Sequence, residues 1–441
     1  MAAWALGFLL VAGIESDLEG ALERSTVERS GLGLAVGRAG GEPFLVVAPD
    51  APRIPASNQK LLTAAAAVRI LGADHRFTTT VATARGGRLV VVGGGDPNLS
   101  GRFFDGDPDT VLLGFARDVR GRGVTEVKEL VLDASRFDGE WTHPDWPGDQ
   151  LDRWYCAPIA ALVYNDSCWD LAVRPGPRAG APARVEVKPS LVRPALSVDC
   201  PTIEGRGHVV HIGRAAGGAL DVRGKILLTS AGVDGHVTVR DPVRFFGDAF
   251  RAALERAGVR VEGEVTVGRV PDATPIVRYR STMGRTLEVM LTGSQNLYAE
   301  CVFKSLGEGS FASGGEAVLR ALRTLEIDTA GIVVRDGSGL AKTNRVTARA
   351  LYGVLQAMRD EPVFVESLAA GGTGTLRRRY RDLGGRVRAK TGTIRGVSAL
   401  SGYVTGRDGG RYVFVILANG KSVGRARRLQ DLVVNALAGG P

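Results

Sequence analysis

Lysine is scarce in this sequence. Only eight of its 56 basic residues are lysines, so a lysine inside a motif stands out from the background. Cysteine is scarce too. Cys156, Cys168, Cys200 and Cys301 show no CxxC and no zinc-ligand spacing. Two disulfides or free buried thiols are both open readings, with Cys156 and Cys168 the nearest pair. The five histidines form no HxxxH and no cluster with acids, so nothing points to a metal. Aromatic residues make up 6%, yet no long stretch is disordered by composition. Long apolar runs are absent as well. The longest near the start, Ala2 to Gly13, falls short of the roughly 20 residues that a membrane-spanning helix needs. It resembles the apolar part of a signal peptide without the positive leading region, or it forms the first turns of a terminal helix. The net charge of +9 comes with no dense basic tail and no nucleic-acid motif. It reads as a generic basic surface, compatible with an anionic partner such as a cell-wall polymer.

What is present is a chain of 441 residues, 44% hydrophobic, enough for a substantial core and for more than one domain. Sixty glycines predict many turns and close backbone approaches. Residues 17–30 read as an amphipathic helix, and "GLGLAVGRAGGEPFLVVAP" as a hairpin. "IPASNQKLLTAAAAVRIL" reads as a helix, with Pro55 before it and Ala and Leu in its interior. After Phe77 a long strand-rich stretch follows, including the aromatic segment "WTHPDWPGDQLDRWY". Residues 241–258 form a helix with Asp241 as cap and Pro242 in its first turn. Helices are expected at about 283–305, 311–325 and 347–359. Three strands and a helix near 425–438 close the chain. This order predicts an α+β layer domain interrupted by a large β-rich insertion.

Three short motifs carry the chemistry. In "ASNQKLL", Ser57 and Lys60 are three apart, so on a helix they share a face. A serine hydroxyl becomes a nucleophile when a base takes its proton, and a lysine serves once burial or nearby cations lower its pKa. Alone, the pattern equally describes a capping serine at a helix start. "TGSQNLYAE" reads either as a polar helix N-terminus or as a site where the Ser294 hydroxyl relays a proton and the Asn296 amide holds substrate and a catalytic lysine. In "RAKTGTIRG", Lys390, Thr391 and Thr393 offer an ammonium and two hydroxyls to a carboxylate. Gly392 permits a close backbone approach. The N–H groups of Ser57 and Thr393 would together form an oxyanion hole.

SxxK, then SxN, then KTG, in that order, is the pattern of active-site serine penicillin-recognising enzymes. Together with "GGGDPNLS", "VVRDGSGLAKTNRVTA" and "GGTGTLRRR", these motifs resemble the D-alanyl-D-alanine carboxypeptidase/endopeptidase family of the penicillin-binding-protein-4 type, peptidase family S13. The likeness runs from about residue 20 to 435. It implies a transpeptidase/β-lactamase-like catalytic domain, a five-stranded antiparallel sheet flanked by helices, with two extra domains inserted between the first and second motifs. By that analogy the catalytic domain is 1–82 with 275–441, a second domain is 83–106 with 191–274, and a third, 107–190, is nested inside it.

The resemblance also implies roles. Ser57 matches the acylated nucleophile and Lys60 the general base. Ser294 and Asn296 match the second motif, and Lys390, Thr391 and Gly392 the third. Thr393 matches the oxyanion-hole position. The implied reaction removes the terminal D-alanine of peptidoglycan stem peptides, with cleavage of D-Ala–meso-diaminopimelate cross-links in addition. β-Lactams would acylate the same serine. No cofactor, metal or nucleic acid is implied, and the implied location is the periplasm or cell envelope. The alternatives are a non-catalytic wall-binding homologue, or a β-lactamase or esterase of the same superfamily. Two positions depart from the family pattern: Gln295 stands where Asp is usual, and Ala341 where serine is typical. The DGSGLAKTNR loop is expected at the pocket rim or as a structural turn. The 137–168 aromatic segment is expected to anchor a small domain core or to wall the substrate.

Overall fold

A computed structural model describes residues 2–439, with side chains from residue 13 onward. The chain forms two compact units, one comprising Met1–His75 with Thr282–Pro441, the other Arg76–Ser281.

The first unit is built on an antiparallel sheet. Its strand order is Ala369–Ala370, Val387–Ile394, Val397–Thr405, Arg411–Asn419, Leu32–Arg38 and Pro43–Val47. Five of these are long; the sixth, at the edge, has two residues. The run "YVFVILA" is buried along its whole length because helices cover both faces of the sheet. On one face Leu18 and Leu22 of the helix Ala2–Arg24 meet Leu429, Val433 and Leu437 of the helix Val423–Ala438. These pack with Leu34, Val36, Phe414 and Ile416 of the sheet. On the other face lie the helices Gln59–Ile70 and Ala348–Ala357.

Two helices depart from their sequence reading. The first ends at Arg24, and residues 29–31 form a separate 3₁₀ turn. The helix expected at 283–305 is two helices, Met283–Thr292 and Asn296–Ser305. The break falls at Gly293-Ser294-Gln295, where Ser294 has φ +61°. A non-glycine residue in that region ends any helix passing through it.

The second unit holds a five-stranded mixed sheet in the order Val265–Val267, Glu129–Asp133, Arg88–Val92, Arg76–Ala84, Thr274–Thr282. The helices Asp109–Gly121 and Pro242–Arg256 pack beside it and against each other. Asp241 caps the latter, accepting from the Arg244 N–H at 2.8 Å. Smaller sheets contain Cys168–Arg174 with its neighbours Val233–Thr238 and Arg184–Lys188, and the strands between 196 and 227. In the aromatic segment Trp146 is buried, whereas Trp154 is 40% exposed and stands edge-on to Tyr155. Core anchoring therefore applies to Trp146 and not to Trp154.

All four cysteines are free and buried, so the disulfide reading does not hold. Burial, helped by Asp149, pushes the Cys156 thiol up to about 12, and burial raises Cys168 well above the usual thiol range. Both are unreactive thiols for that reason. No helix among the described residues is long and apolar enough to cross a membrane.

Candidate active site

The segment entering the first motif is pinned at both ends of a short span. The Asn419 side chain accepts from the Ile54 N–H at 2.7 Å and donates to the Ile54 carbonyl at 3.1 Å. Arg53 and Val346 exchange backbone hydrogen bonds at 2.8 and 2.9 Å. The chain then turns sharply, with Ala56 at φ +47°. Such a conformation is strained for a residue with a side chain and persists only where the surroundings impose it. Ser57 sits in a 3₁₀ turn, Ala56–Asn58, ahead of the helix Gln59–Ile70. It is not the helix cap. Asn58 holds the cap position and makes no capping bond; its amide donates to the Lys390 carbonyl at 3.0 Å instead. That bond ties the first motif to the third.

Lys60 lies one turn beyond Ser57 and is fully buried. Its ammonium has three donors and three acceptors to receive them. They are Asn296 Oδ1 at 2.7 Å, the Ser338 carbonyl at 3.0 Å and Ser57 Oγ at 3.2 Å. Burial lowers its pKa to about 8, against the opposing pull of the Glu300 and Asp336 carboxylates. A neutral Lys60 amine is therefore accessible near neutral pH. Its lone pair would then accept the Ser57 proton along the same 3.2 Å contact.

The second motif divides. Asn296 begins the helix Asn296–Ser305 and reaches Lys60 directly. Gln295, the departure from the family pattern, is buried at the cap position of that helix. Ser294 is partly exposed on the strained turn before it, and its hydroxyl makes no hydrogen bond to Lys60 or Lys390.

The third motif lies on the strand Val387–Ile394. Lys390 is fully buried, and its ammonium donates to the Thr391 carbonyl at 3.0 Å. Burial first, and the Lys60 cation second, hold its pKa well below the usual lysine range. Thr391 is partly exposed and Thr393 exposed. Gly392 runs against the nucleophile turn: a Cβ there would stand 3.0 Å from the Pro55 carbonyl and 3.1 Å from the Ser57 nitrogen. The short edge strand pairs only with Arg388 and Ala389. No other strand among the described residues pairs with that edge from Lys390 to Ile394, as strand addition by an extended peptide requires. Gly392→Val should force the strand away from Ser57 and lower the rate of acylation by a penicillin at least about 100-fold, the worth of one oxyanion donor. Stopped-flow acylation on a variant with unchanged thermal midpoint checks this; a rate within threefold of wild type would show that the contact does not matter.

The sequence reading missed Glu300. It is fully buried and accepts from the N–H groups of Gly337 and Ser338, both at 2.8 Å. Burial first, then Asp336, raise its pKa to about 8. Its signal was available: Glu300 stands four residues after Asn296 on one helix, hence on the same face, in an otherwise apolar stretch. The DGSGL loop is likewise more than a rim. Asp336 accepts from the N–H groups of Gly339 at 2.8 Å and Ala341 at 2.7 Å, and from the Asn344 amide at 2.8 Å. The folded loop thereby presents the Ser338 carbonyl to Lys60. Gly339, at φ +83°, lies so near the nucleophile turn that a Cβ would fall 1.8 Å from the Ala56 carbonyl oxygen. Ala341 meets Asp336 through its backbone N–H, so that contact does not depend on a serine there.

The chain is similar to known proteins over nearly its whole length. The model of the D-Ala-D-Ala carboxypeptidase 3 (S13) family matches residues 14–438. A D-alanyl-D-alanine carboxypeptidase of Actinomadura sp. (strain R39) is 34% identical, covering 96% of this chain and 84% of that protein. A carboxypeptidase of Mycobacterium tuberculosis is 31% identical over 84% of this chain and 72% of its own. In fold, the crystal structure of penicillin binding protein 4 from Haemophilus influenzae superimposes with a TM-score of 0.79 at 21% identity, covering 96% of this chain and 99% of that one. The catalytic unit thus has the penicillin-binding-protein fold, and this chain belongs to the D-Ala-D-Ala carboxypeptidase (S13) family.

Proposed function

We propose that this chain is a serine D-alanyl-D-alanine carboxypeptidase acting on peptidoglycan stem peptides through an acyl-enzyme on Ser57. The observation that carries this is the fully buried Lys60, its pKa lowered to about 8, at 3.2 Å from Ser57 Oγ and tied to Asn296. Ser57 Oγ bonds to the carbonyl carbon of the penultimate D-alanine, and its proton passes to Lys60. The Ser57 and Thr393 N–H groups receive the developing oxyanion. The C–N bond breaks, and the amine leaves with a proton returned from Lys60; Ser294 relays it only once bound substrate brings its hydroxyl to Lys60. Water then adds to the ester, releases the shortened peptide and restores the serine. The Thr391 and Thr393 hydroxyls hold the carboxylate of the departing residue, and Lys390 lies buried behind the same strand. The edge from Lys390 to Ile394, which no other strand among the described residues pairs with, supports the same placement of substrate.

The same arrangement supports cleavage of D-Ala–meso-diaminopimelate cross-links, because the departing amine there also carries an adjacent carboxylate. It further supports acylation by β-lactams and work at the cell envelope, where the substrate lies. The test is incubation with a D-Ala-D-Ala-terminated pentapeptide and, separately, with a cross-linked muropeptide dimer. Released D-alanine and cleaved dimer are the expected products. Absence of D-alanine release would overturn the carboxypeptidase reading, and an intact dimer the endopeptidase reading.

A further inference from the structure

Side chains alternate along a strand, so Lys390 and Thr391 point to opposite faces. Thr391 and Thr393 line a cleft of about 370 Å³ together with Thr375, Arg377, Arg378 and Arg427. These three arginines are exposed, and their guanidinium groups have no ion-pair or hydrogen-bond partner among the described residues. Arg379 lines the same cleft but is committed: Asp431 receives its Nη2 at 2.6 Å and its Nε at 3.0 Å. Other arginines of the chain are matched in the same way, Arg349 by Asp50 and Arg411 by Asp360. The buried hydroxyl oxygen of Thr375, also at this cleft, has no hydrogen-bond partner. Three uncompensated cations and an unmatched hydroxyl therefore line one cleft beside the strand that carries Thr391 and Thr393.

We propose that this cleft receives the leaving residue, and that its arginines select a leaving residue with a carboxylate on its side chain in addition to the one beside the scissile amide. The inference rests on the hydrolytic reading above. On that reading one carboxylate is met by the Thr391 and Thr393 hydroxyls, which line this cleft. A leaving D-alanine has no second anionic group to engage three guanidinium forks, whereas a dicarboxylic leaving residue does. The cleft thus favours an acidic departing residue over a neutral one of the same shape.

The experiment uses the full chain and a fixed acyl donor, diacetyl-L-Lys-D-Ala, joined to D-Glu, D-Gln or D-Ala as leaving residue. D-Glu and D-Gln differ in charge and hardly in shape. Each exposed pairing contributes up to about fivefold, so wild type should cleave the D-Glu compound with a kcat/KM about tenfold above the D-Gln compound. Raising the salt to about 1 M should shrink that ratio, because exposed charges are then screened within about 3 Å. Arg377→Ala, Arg378→Ala and Arg427→Ala should each reduce the ratio about twofold, and the triple variant should bring it near one. A ratio cancels any loss common to both substrates. The triple lysine variant, which retains charge, should keep most of the preference. A wild-type ratio near one overturns the inference, as does a tenfold ratio that survives in the triple alanine variant. Either result, obtained with enzyme that releases D-alanine from the D-Ala compound, leaves the carboxypeptidase reading standing. Enzyme that cleaves none of the three compounds overturns both.

Discussion

Ser57→Ala should abolish covalent labelling by a fluorescent penicillin, and Lys60→Ala should slow it about 10³-fold, within the usual range for loss of a positioned general base. The two losses have different origins. Ser57→Ala removes the proposed nucleophile, and the partly exposed site tolerates the smaller side chain. Lys60→Ala removes the base and leaves three acceptors facing a small cavity: Asn296 Oδ1, the Ser338 carbonyl and Ser57 Oγ. Water can fill that space and receive part of the hydrogen bonding, so the fold should survive at reduced stability. Gel fluorescence against time, on variants whose circular dichroism matches wild type, measures both. Undiminished label on Ser57→Ala would move the nucleophile elsewhere. A Lys60→Ala rate within tenfold of wild type would remove Lys60 from the base role.

Glu300 is expected to decide both stability and pH response. Truncation to alanine leaves the Gly337 and Ser338 N–H groups without their acceptor and removes a carboxylate facing the Lys60 cation. Each buried donor left without an acceptor costs about 1–3 kcal/mol, so Glu300→Ala should lower the denaturation midpoint sharply. Glu300→Gln keeps the shape and one acceptor oxygen, removes the charge, and sets its NH2 against one of the two N–H groups. The sign follows from the neighbours. Lys60 is held down to about 8 by burial, while Glu300 pulls it up. Glu300 itself titrates near pH 8, so it acts on Lys60 through its ionised fraction; removing that charge disfavours the ammonium, so the lysine pKa falls below about 8. Acylation needs the neutral amine. In wild type its rate should decline below about pH 8, near tenfold for each pH unit; in Glu300→Gln the decline should begin at lower pH. A profile unmoved by Glu300→Gln would show that the carboxylate does not act on Lys60.

The pairing of Ser57 with Lys60 was legible because helical spacing alone puts residues three apart on one face. Asn296 and Lys390 were legible only as parts of an ordered set of motifs. Three strands near the C-terminus were legible, though not that "YVFVILA" is buried along its whole length, and Asp241-Pro242 announced a helix start that the structure bears out. Local rules also misled. "ASN" before an alanine-rich helix reads as a capping serine, yet the strained Ala56 turn lifts Ser57 out of the cap. Residues 283–305 read as one helix, since propensity does not reveal that Ser294 adopts a left-handed conformation. Glu300 went unread because an acid in a helix usually faces water. Here the DGSGL loop closes over it.

The sequence by itself determined the residue types, their order and the spacing within each motif, because those depend on neighbours in the chain. Only the tertiary structure decided what they become. It buries Lys60 and Lys390, which lowers their affinity for protons. It sets the Gly392 backbone against Ser57, where no side chain fits without displacing its surroundings. It folds the DGSGL loop around two carboxylates so that a carbonyl 278 positions away along the chain meets the lysine. Burial and long-range contact are properties of the packed chain, and no local pattern encodes them.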